Sequence, residues 1–222
     1  MINIRSLLKK KLKNWQKQHP YNISISHKHK FVWYRVAKNG TRTILNTFNR
    51  NNIILDINSY KTTHDPSKYQ EYYKFAVARN PYDRLVSCWF NKILRGNHFR
   101  LEESLYQSLK DFPTFVKYVA QIDFQVMKDA HLRPQVSLID INEIDYLVRM
   151  ETFESDLTDL FRIIGLNTIK IYSKNRTRSR SHYSQYYTEE TIELVRGIYK
   201  KDIQVFGYQF KKENHEKEEF YS

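Results

Sequence analysis

The order of structural elements is most evident in the stretch "KFVWYRVAKNGTRTILNTFNR", residues 30–50. Residues 30–36 are mainly aromatic, β-branched and apolar, which is typical of a short buried strand. Residues 41–50 are predicted to form a helix, and Gly40, one of only five glycines in the chain, stands at the junction. A strand, a short loop and a helix in this order direct backbone N–H groups and a helix N-terminus at one spot. The stretch therefore predicts a βα unit with an anion site at its loop.

Strand and helix patterns continue to alternate on either side of this unit. Asn80 is a suitable N-cap and Pro81 suits the first helical position, so a helix is predicted to begin there. Strands are predicted at residues 52–57, 72–79 and 145–151, helices at 80–94, 152–165 and 188–201, a connector at 21–29, and a mainly helical section at 100–135. This alternation predicts an α/β fold, a P-loop-like three-layer α/β/α arrangement around a central parallel sheet, in a single domain over residues 1–222.

The composition indicates a globular protein with an anionic partner. Hydrophobic residues make up 41% of the 222 residues, and the formal net charge is +13. Such a charge fits nucleic acid, a membrane surface, an anionic glycan or a polyphosphorylated nucleotide. The one cysteine, Cys88, excludes an internal disulfide framework and a structural Cys/His metal cluster.

The two termini are both rich in charge. Residues 1–20 predict a basic amphipathic helix, which would either make peripheral contact with a membrane or dock on the domain's own core. This segment lacks the continuous apolar core of a signal peptide or a transmembrane helix, so we expect a cytoplasmic location. Residues 211–222 form a charged tail that is expected to fray.

The loop after the first strand offers several donors to an anion. Gly40 would allow the backbone to approach a ligand closely or to take a positive φ. Lys38 supplies a compact charge, and the residues after the glycine supply further donors: Thr41, Arg42 and Thr43. The Walker A pattern G-x-x-x-x-G-K-[ST] is absent. Taken alone, the loop also fits an ordinary tight turn with a solvated lysine.

A second candidate anion site lies in "FAVARNPYDRLVSCWFNK", residues 75–92. Arg79 closes a predicted strand, and Ser87 follows the N-cap Asn80 by seven residues, about two helical turns. Arg79 and Ser87 would then hold one phosphate from two sides, because a guanidinium donates in a planar fork. The alternative is an ion pair between Arg79 and Asp83 at the helix start. Two anion sites at neighbouring strand ends indicate a nucleotide with phosphates at both ends.

Together, "AKNGTRT" and "FAVARNPYDRLVSCWFNK" resemble the nucleotide-binding motifs of sulfotransferases that use 3′-phosphoadenosine 5′-phosphosulfate (PAPS). The resemblance implies a sulfotransferase-type fold, PAPS as donor, 3′-phosphoadenosine 5′-phosphate (PAP) as product, and no requirement for a metal. It implies that Arg79 and Ser87 bind the 3′-phosphate. It implies that the 5′-phosphosulfate is bound by the whole loop: Lys38, Asn39, Gly40, Thr41, Arg42 and Thr43.

Later motifs resemble the carbohydrate branch of these enzymes, the chondroitin and dermatan type of sulfotransferase family 2 and its bacterial relatives. These motifs are "HLRPQ" (131–135) and residues 179–210, so the resemblance covers most of residues 31–210. It implies a saccharide or glycoconjugate acceptor, which fits the positive charge if anionic, and no nucleic-acid partner. A late basic segment closes over the nucleotide in this family, which implies that Arg178 or Arg180 reaches the 3′-phosphate. One departure is Ala37, where the family often has a proline before the lysine.

The favoured catalytic base is His64 in "KTTHDP". The intrinsic pKa of histidine suits proton abstraction near neutrality. The segment is similar to the lysine–threonine–histidine segment that carries the base in cytosolic sulfotransferases, with one extra threonine between Lys61 and His64. His131 remains an alternative, as do the carboxylates of Glu102 and Glu103.

Two other classes of function remain open at this point. A P-loop-like kinase of small molecules or nucleotides would share the βα arrangement, although its Walker A and Mg²⁺-binding patterns are missing. A non-catalytic basic module would bind nucleic acid or a membrane through residues 1–20 and 174–182, with steep dependence on salt.

Overall fold

The computed structural model describes residues 21–62, 65–127, 129–172 and 180–213. The helix predicted for residues 1–20 and most of the charged tail lie outside these residues. Within them the strands are β1 (Tyr21–Ser26), β2 (Phe31–Tyr34), β3 (Ile57–Thr62), β4 (Tyr73–Ala78) and β5 (Tyr146–Arg149). The helices are α1 (Thr41–Arg50), α2 (Pro81–Lys92), α3 (Glu103–Ser108), α4 (Phe112–Ala120), α5 (Phe153–Ile163), α6 (Glu189–Ile198) and α7 (Lys200–Phe206).

The chain divides into two compact units. The first consists of Met1–Arg79 and Asp123–Arg176, and the second of Asn80–Ile122 and Thr177–Ser222. The first unit holds the sheet with α1 and α5, and the second holds the other helices. The single domain over residues 1–222 stays a prediction.

The described strands form one mixed sheet in the order β3-β1-β2-β4-β5. Strands β2, β4 and β5 run parallel to one another, whereas β1 is antiparallel to both β2 and β3. The α/β prediction is confirmed, but the sheet is not purely parallel. Because β3 is antiparallel to β1, it runs in the same direction as β2, and the two strands end at the same edge of the sheet.

Strand β1 occupies residues that the sequence assigned to a connector, so that assignment is wrong. Tyr21, Ile23 and Ile25 alternate with small polar residues, which is a strand period. The polar face is buried as well, and Ser24 donates to Asn58 Oδ1 at 2.9 Å. The strand was not predicted because its small hydroxyl side chains, followed by a turn rich in Lys and His, are typical of a polar loop.

Strand β3 lies about five residues later than predicted, because residues 53–55 of the apolar run do not pair as a strand. Ile53 and Leu55 lie against the hydrophobic core as loop residues. The Ile53 N–H instead closes the end of α1 by donating to Phe48 O at 2.9 Å. The strand itself, "INSYKT", is polar because β3 is the last strand at its edge of the sheet.

The hydrophobic core of the first unit lies between one sheet face and helices α1 and α5. Trp33 of β2 and Phe75 of β4 stack with ring centroids 5.8 Å apart, at an interplanar angle of 4°. Ile44 and Phe48 of α1 contribute to the same buried cluster. This packing fixes the ends of β2 and β4, which carry the two predicted nucleotide motifs, relative to each other.

Several helix boundaries match the sequence. Helix α1 covers residues 41–50 as predicted, and Asn80 caps α2 by accepting from the Tyr82 N–H at 3.1 Å. The section at 100–135 contains only the short helices α3 and α4 among described residues. The helix predicted at 188–201 is divided, because Tyr199 leaves helical geometry between α6 and α7.

The start of the charged tail is anchored within the second unit, contrary to the expectation of fraying. The Lys211 N–H donates to the Tyr183 hydroxyl at 2.8 Å, and the Glu213 N–H donates to Ser184 Oγ at 3.2 Å. Residues 214–222 lie outside the described part of the chain.

Candidate active site

The loop between β2 and α1 turns sharply through two left-handed residues. Lys38 has a φ of 73° and Gly40 a φ of 70°. A Cβ at Gly40 would lie 2.6 Å from Cε2 of Phe153 and 3.2 Å from Sδ of Met150. Gly40 is therefore required both by its backbone conformation and by the ring packed against it, and the expectation of a positive φ is confirmed.

Lys38 adopts its left-handed conformation without the freedom of a glycine. Such a conformation costs a non-glycine residue roughly 1–2 kcal/mol, and backbone strain of this kind is concentrated at functional sites. The family's loop often has a proline before the lysine, whereas here the half-buried Ala37 precedes Lys38. Contacts from other segments therefore hold the lysine in this conformation.

Asn39 supplies the first of these contacts. Its side chain is almost fully buried, and its Nδ2 donates to Val77 O and to Gln135 Oε1, both at 2.6 Å. Its Oδ1 is buried with no hydrogen-bond partner among the described residues. The Asn39 side-chain amide, predicted to bind the nucleotide, thus points toward β4 and anchors the loop there.

Arg79 supplies the second contact. It directly follows β4, and its Nη1 donates to the main-chain carbonyl of Lys38 at 3.0 Å. The two predicted nucleotide motifs are therefore bonded directly to each other within the first unit.

The remaining loop residues differ in exposure. Thr41 Oγ1 donates to Val36 O at 3.0 Å, which closes the loop at its base. Thr43 is buried in the first turn of α1, whereas Arg42 is exposed. The first amides of a helix have no intrahelical acceptors, so the start of α1 adds partial positive charge beside Lys38.

A second arginine in this part of the first unit was not identified from the sequence. Arg35 is buried, and its Nη2 donates to Ser59 O at 2.6 Å while its guanidinium lies 4.3 Å from the centroid of the Tyr60 ring. Burial lowers the pKa of Arg35, and a hydrogen bond with Tyr60 opposes this effect. No periodic pattern distinguishes such an arginine from a solvated one at a strand end.

Two residues of the second unit, Ser87 and Arg180, were predicted to bind the 3′-phosphate, and both lie near Asp83 in the sequence or in space. Ser87 is nearly buried on α2, one helical turn after Asp83. Asp83 forms an ion pair with Nη2 of Arg180. Nη1 of Arg180 is buried without a hydrogen-bond partner among the described residues. The carboxylate thus holds one side of this guanidinium and leaves a donor on the other.

Comparison with known proteins identifies the family of the chain. The model of the Sulfotransferase family matches residues 21–209. The chain belongs to sulfotransferase family 2. No curated protein and no solved structure matches it significantly. The family match extends to residue 21, so it includes β1, the strand that the sequence pattern concealed.

In this sulfotransferase the favoured base, His64, lies outside the described residues, as do Arg176 and Arg178. The residue two positions before the histidine, Thr62, ends β3 and pairs with Tyr21 at the edge where β2 also ends.

The alternative bases have defined surroundings in the structure. His131 Nδ1 lies 2.7 Å from Asp129 Oδ1, and the His131 side chain is about a quarter exposed. Glu102 caps α3, and the hydrogen bond from the Ser104 hydroxyl, followed by bonds from backbone N–H groups, lowers its pKa. A carboxylate with a lowered pKa is a poorer base, so Glu102 is better explained as a cap. Glu103 accepts from the side chain of Gln107 on the same helix.

Sequence reasoning missed the role of Gln135 in this sulfotransferase. In the sequence, "HLRPQ" indicates only the branch of the family, whereas in the structure its last residue is fully buried beside Asn39. A polar amide next to a proline carries no signal of burial in a sequence.

Among the described residues, no helix has both the length and the apolar character needed to cross a membrane.

Proposed function

We propose that this chain is a PAPS-dependent sulfotransferase that moves a sulfuryl group to a hydroxyl of a carbohydrate or glycoconjugate. The observation that carries the proposal is the hydrogen bond from Arg79 to the Lys38 carbonyl. It joins the Arg79 guanidinium to the backbone of the Lys38 loop at adjacent strand ends, in a member of a family that generally uses PAPS.

The proposed ligands of the 5′-phosphosulfate are the loop donors. Lys38 and Arg42 contribute charge, while Gly40 lets the backbone approach the ligand. Thr41 and Thr43 begin α1, whose N-terminus favours an anion. The bonds that Asn39 makes to Val77 of β4 and to Gln135 support a loop that is preorganised for this ligand.

Arg180 is proposed as a ligand of the 3′-phosphate, and Arg79 and Ser87 keep the same role, which the family resemblance implies for them. For Arg180 the support is the buried Nη1 without a partner, because an anion would supply the acceptor that this donor lacks. The support for Ser87 is its position on α2, one helical turn after Asp83, the partner of Arg180. Arg178 keeps the role that the family resemblance implies.

The proposed reaction is an in-line transfer. The bond between sulfur and the bridging phosphate oxygen of the donor breaks, and a bond between sulfur and the acceptor oxygen forms. His64 takes the proton of the acceptor hydroxyl, and Lys38 neutralises the charge that develops on the leaving phosphate, which departs as part of PAP. His131, with Asp129 to orient its ring, is the second candidate for the base.

The acceptor is proposed to be a saccharide, and an anionic one fits best. The formal net charge of +13 would raise the local concentration of an anionic glycan by long-range attraction. The same charge would serve a basic module, but such a module does not require a guanidinium bonded to the Lys38 loop at adjacent strand ends.

Transfer of radioactive sulfate from [³⁵S]PAPS to a panel of desulfated and partly sulfated glycans tests this function. We expect label in at least one saccharide, unchanged by EDTA, and lost in Lys38→Ala but kept in Lys170→Ala, which removes an exposed lysine elsewhere. Phosphate transfer from ATP·Mg²⁺ would instead indicate a kinase. Binding to nucleic acid that depends steeply on salt, without any transfer, would indicate a basic module.

A further inference from the structure

The side-chain amide of Gln135 is bonded on both of its sides to the strand end that carries Arg79. Its Oε1 accepts from the Arg79 N–H at 3.1 Å, and its Nε2 donates to the Arg79 carbonyl at 2.9 Å. The side chain thus pairs with the backbone after β4 as a neighbouring strand would. Oε1 also accepts from Asn39 Nδ2 at 2.6 Å, so the same amide reaches the loop.

The turn that presents Gln135 is itself rigid. It begins after Pro134, whose ring fixes its φ, and continues to Ser137 as a short 3₁₀ helix. Ser137 Oγ donates to Pro134 O at 2.7 Å, and Arg133 Nη2 donates to Ser137 O at 3.2 Å. All of these groups except Pro134 are buried, so the turn is a fixed support.

The contacts form a closed ring through the candidate donor site. Lys38 O accepts from the Arg79 side chain, the Arg79 backbone pairs with Gln135, and Gln135 accepts from Asn39, the residue after Lys38. Removing the amide would open the ring where the two nucleotide motifs are joined.

We propose that Gln135 is a positioning residue that sets the distance between the Lys38 loop and Arg79. The nucleotide part of this inference rests on the proposed function, whereas the effect on the loop does not. Gln135 acts through Asn39 and the Arg79 backbone, which hold Lys38 and the Arg79 guanidinium in place.

The decisive variant is Gln135→Met, which keeps the length and approximate volume of the side chain but removes both hydrogen-bonding groups. The matched control is Ser137→Ala, which removes one buried hydrogen bond from the same turn but keeps the bond from Arg133 to the Ser137 carbonyl and all bonds of Gln135. Hydrogen exchange of the free protein is measured at a temperature where circular dichroism shows both variants to be folded.

In Gln135→Met we expect amides of residues 36–43 to exchange about tenfold faster or more, because the Asn39 side chain that anchors this loop loses its bond to Gln135. Peptides from α6 should be unchanged, and Ser137→Ala should leave residues 36–43 unchanged. Equal exchange in the loop, or the same acceleration in α6, would overturn the proposal. Should Gln135→Met fail to fold, Asn39→Ala provides the same loop measurement with the Gln135–Arg79 pairing intact.

The second readout is the affinity for PAP, measured by calorimetry. We expect about a tenfold loss or more in Gln135→Met, no change in Ser137→Ala, and losses in Asn39→Ala and Gln135→Met that are not additive in the double variant. Unchanged affinity in Gln135→Met would overturn the positioning role. If the wild-type protein does not bind PAP, the proposed function fails together with the nucleotide part of this inference. Hydrogen exchange of residues 36–43 then still tests whether Gln135 holds the Lys38 loop in place.

Discussion

The guanidinium of Arg79 donates to the main-chain carbonyl of Lys38 across 3.0 Å, so the ends of two adjacent parallel strands are bonded through a cation. The carbonyl carries a partial negative charge, and the bond holds the arginine side chain beside the loop. The lysine is held in a left-handed conformation by the same bond and by the neighbouring Asn39. Arg79 thus shapes the Lys38 loop through this hydrogen bond and also supplies positive charge beside it.

Replacement of Gly40 by alanine should disable the loop. The new Cβ would meet the Phe153 ring at 2.6 Å and would force a positive φ on alanine, so we expect a loss of about 2 kcal/mol or more in the free energy of unfolding. Urea unfolding measures this loss. Gly197→Ala is the matched control, because Gly197 lies inside α6 with nothing within 4 Å of its Cβ position. That control should gain about 0.5–1 kcal/mol, and equal effects of the two substitutions would contradict the account.

Much of the sheet could be predicted from the sequence, because β2, β4 and β5 are apolar runs followed by helices with clear start signals. The site loop could be predicted for the same reason, since Gly40 and Asn80 mark junctions by local chemistry. β1 and β3 could not, because Ser24 and Asn58 satisfy each other across two strands, and such a pairing has no local signal. Gln135 could not be assigned for a similar reason, since its partners lie 56 and 96 residues away in the chain.

Loss of Arg180 should weaken binding of the 3′-phosphate selectively. Its Nη1 has no partner among the described residues, so we expect Arg180→Ala to reduce PAP affinity by about tenfold or more, since a charged hydrogen bond contributes roughly 1.5–3 kcal/mol. AMP, which lacks the 3′-phosphate, should bind with unchanged affinity in calorimetry. Arg162→Ala, at an exposed ion pair with Asp159, is the control. A similar loss for AMP and PAP would assign Arg180 to the structure of the second unit rather than to the 3′-phosphate.

The two histidine candidates for the base should differ in their effect on turnover. We expect His64→Ala to lower kcat by about 10²-fold or more and to remove the acidic limb of the pH–rate profile. His131→Asn should lower kcat less and leave that limb in place. A profile that loses its limb only in His131→Asn would transfer the role to the His131–Asp129 pair.

Stability should fall at alkaline pH because of buried tyrosines. Burial, reinforced by the nearby Asp140 carboxylate, raises the pKa of Tyr21 above its ordinary value of 10, so the folded state keeps a proton that the unfolded state releases. This contribution is complete below pH 10 and is lost as the pH rises further, by about 1.4 kcal/mol at pH 11.

Tyr21→Phe isolates this effect. The Tyr21 hydroxyl has no hydrogen-bond partner among the described residues, so the variant should match the wild type at pH 8 and lose less stability at pH 11 in urea unfolding. An identical loss in both proteins would show that Tyr21 does not govern the alkaline limb.

The central claim is a donor site for a nucleotide with phosphates at both ends, and thermal unfolding with PAP tests it most directly. At about 100 times its dissociation constant PAP should add roughly 2.7 kcal/mol, or about 5–10 °C in Tm. AMP and ATP·Mg²⁺ should add much less, and Arg79→Ala should abolish the PAP shift. Equal shifts with all three nucleotides, or a full PAP shift in Arg79→Ala, would contradict the account.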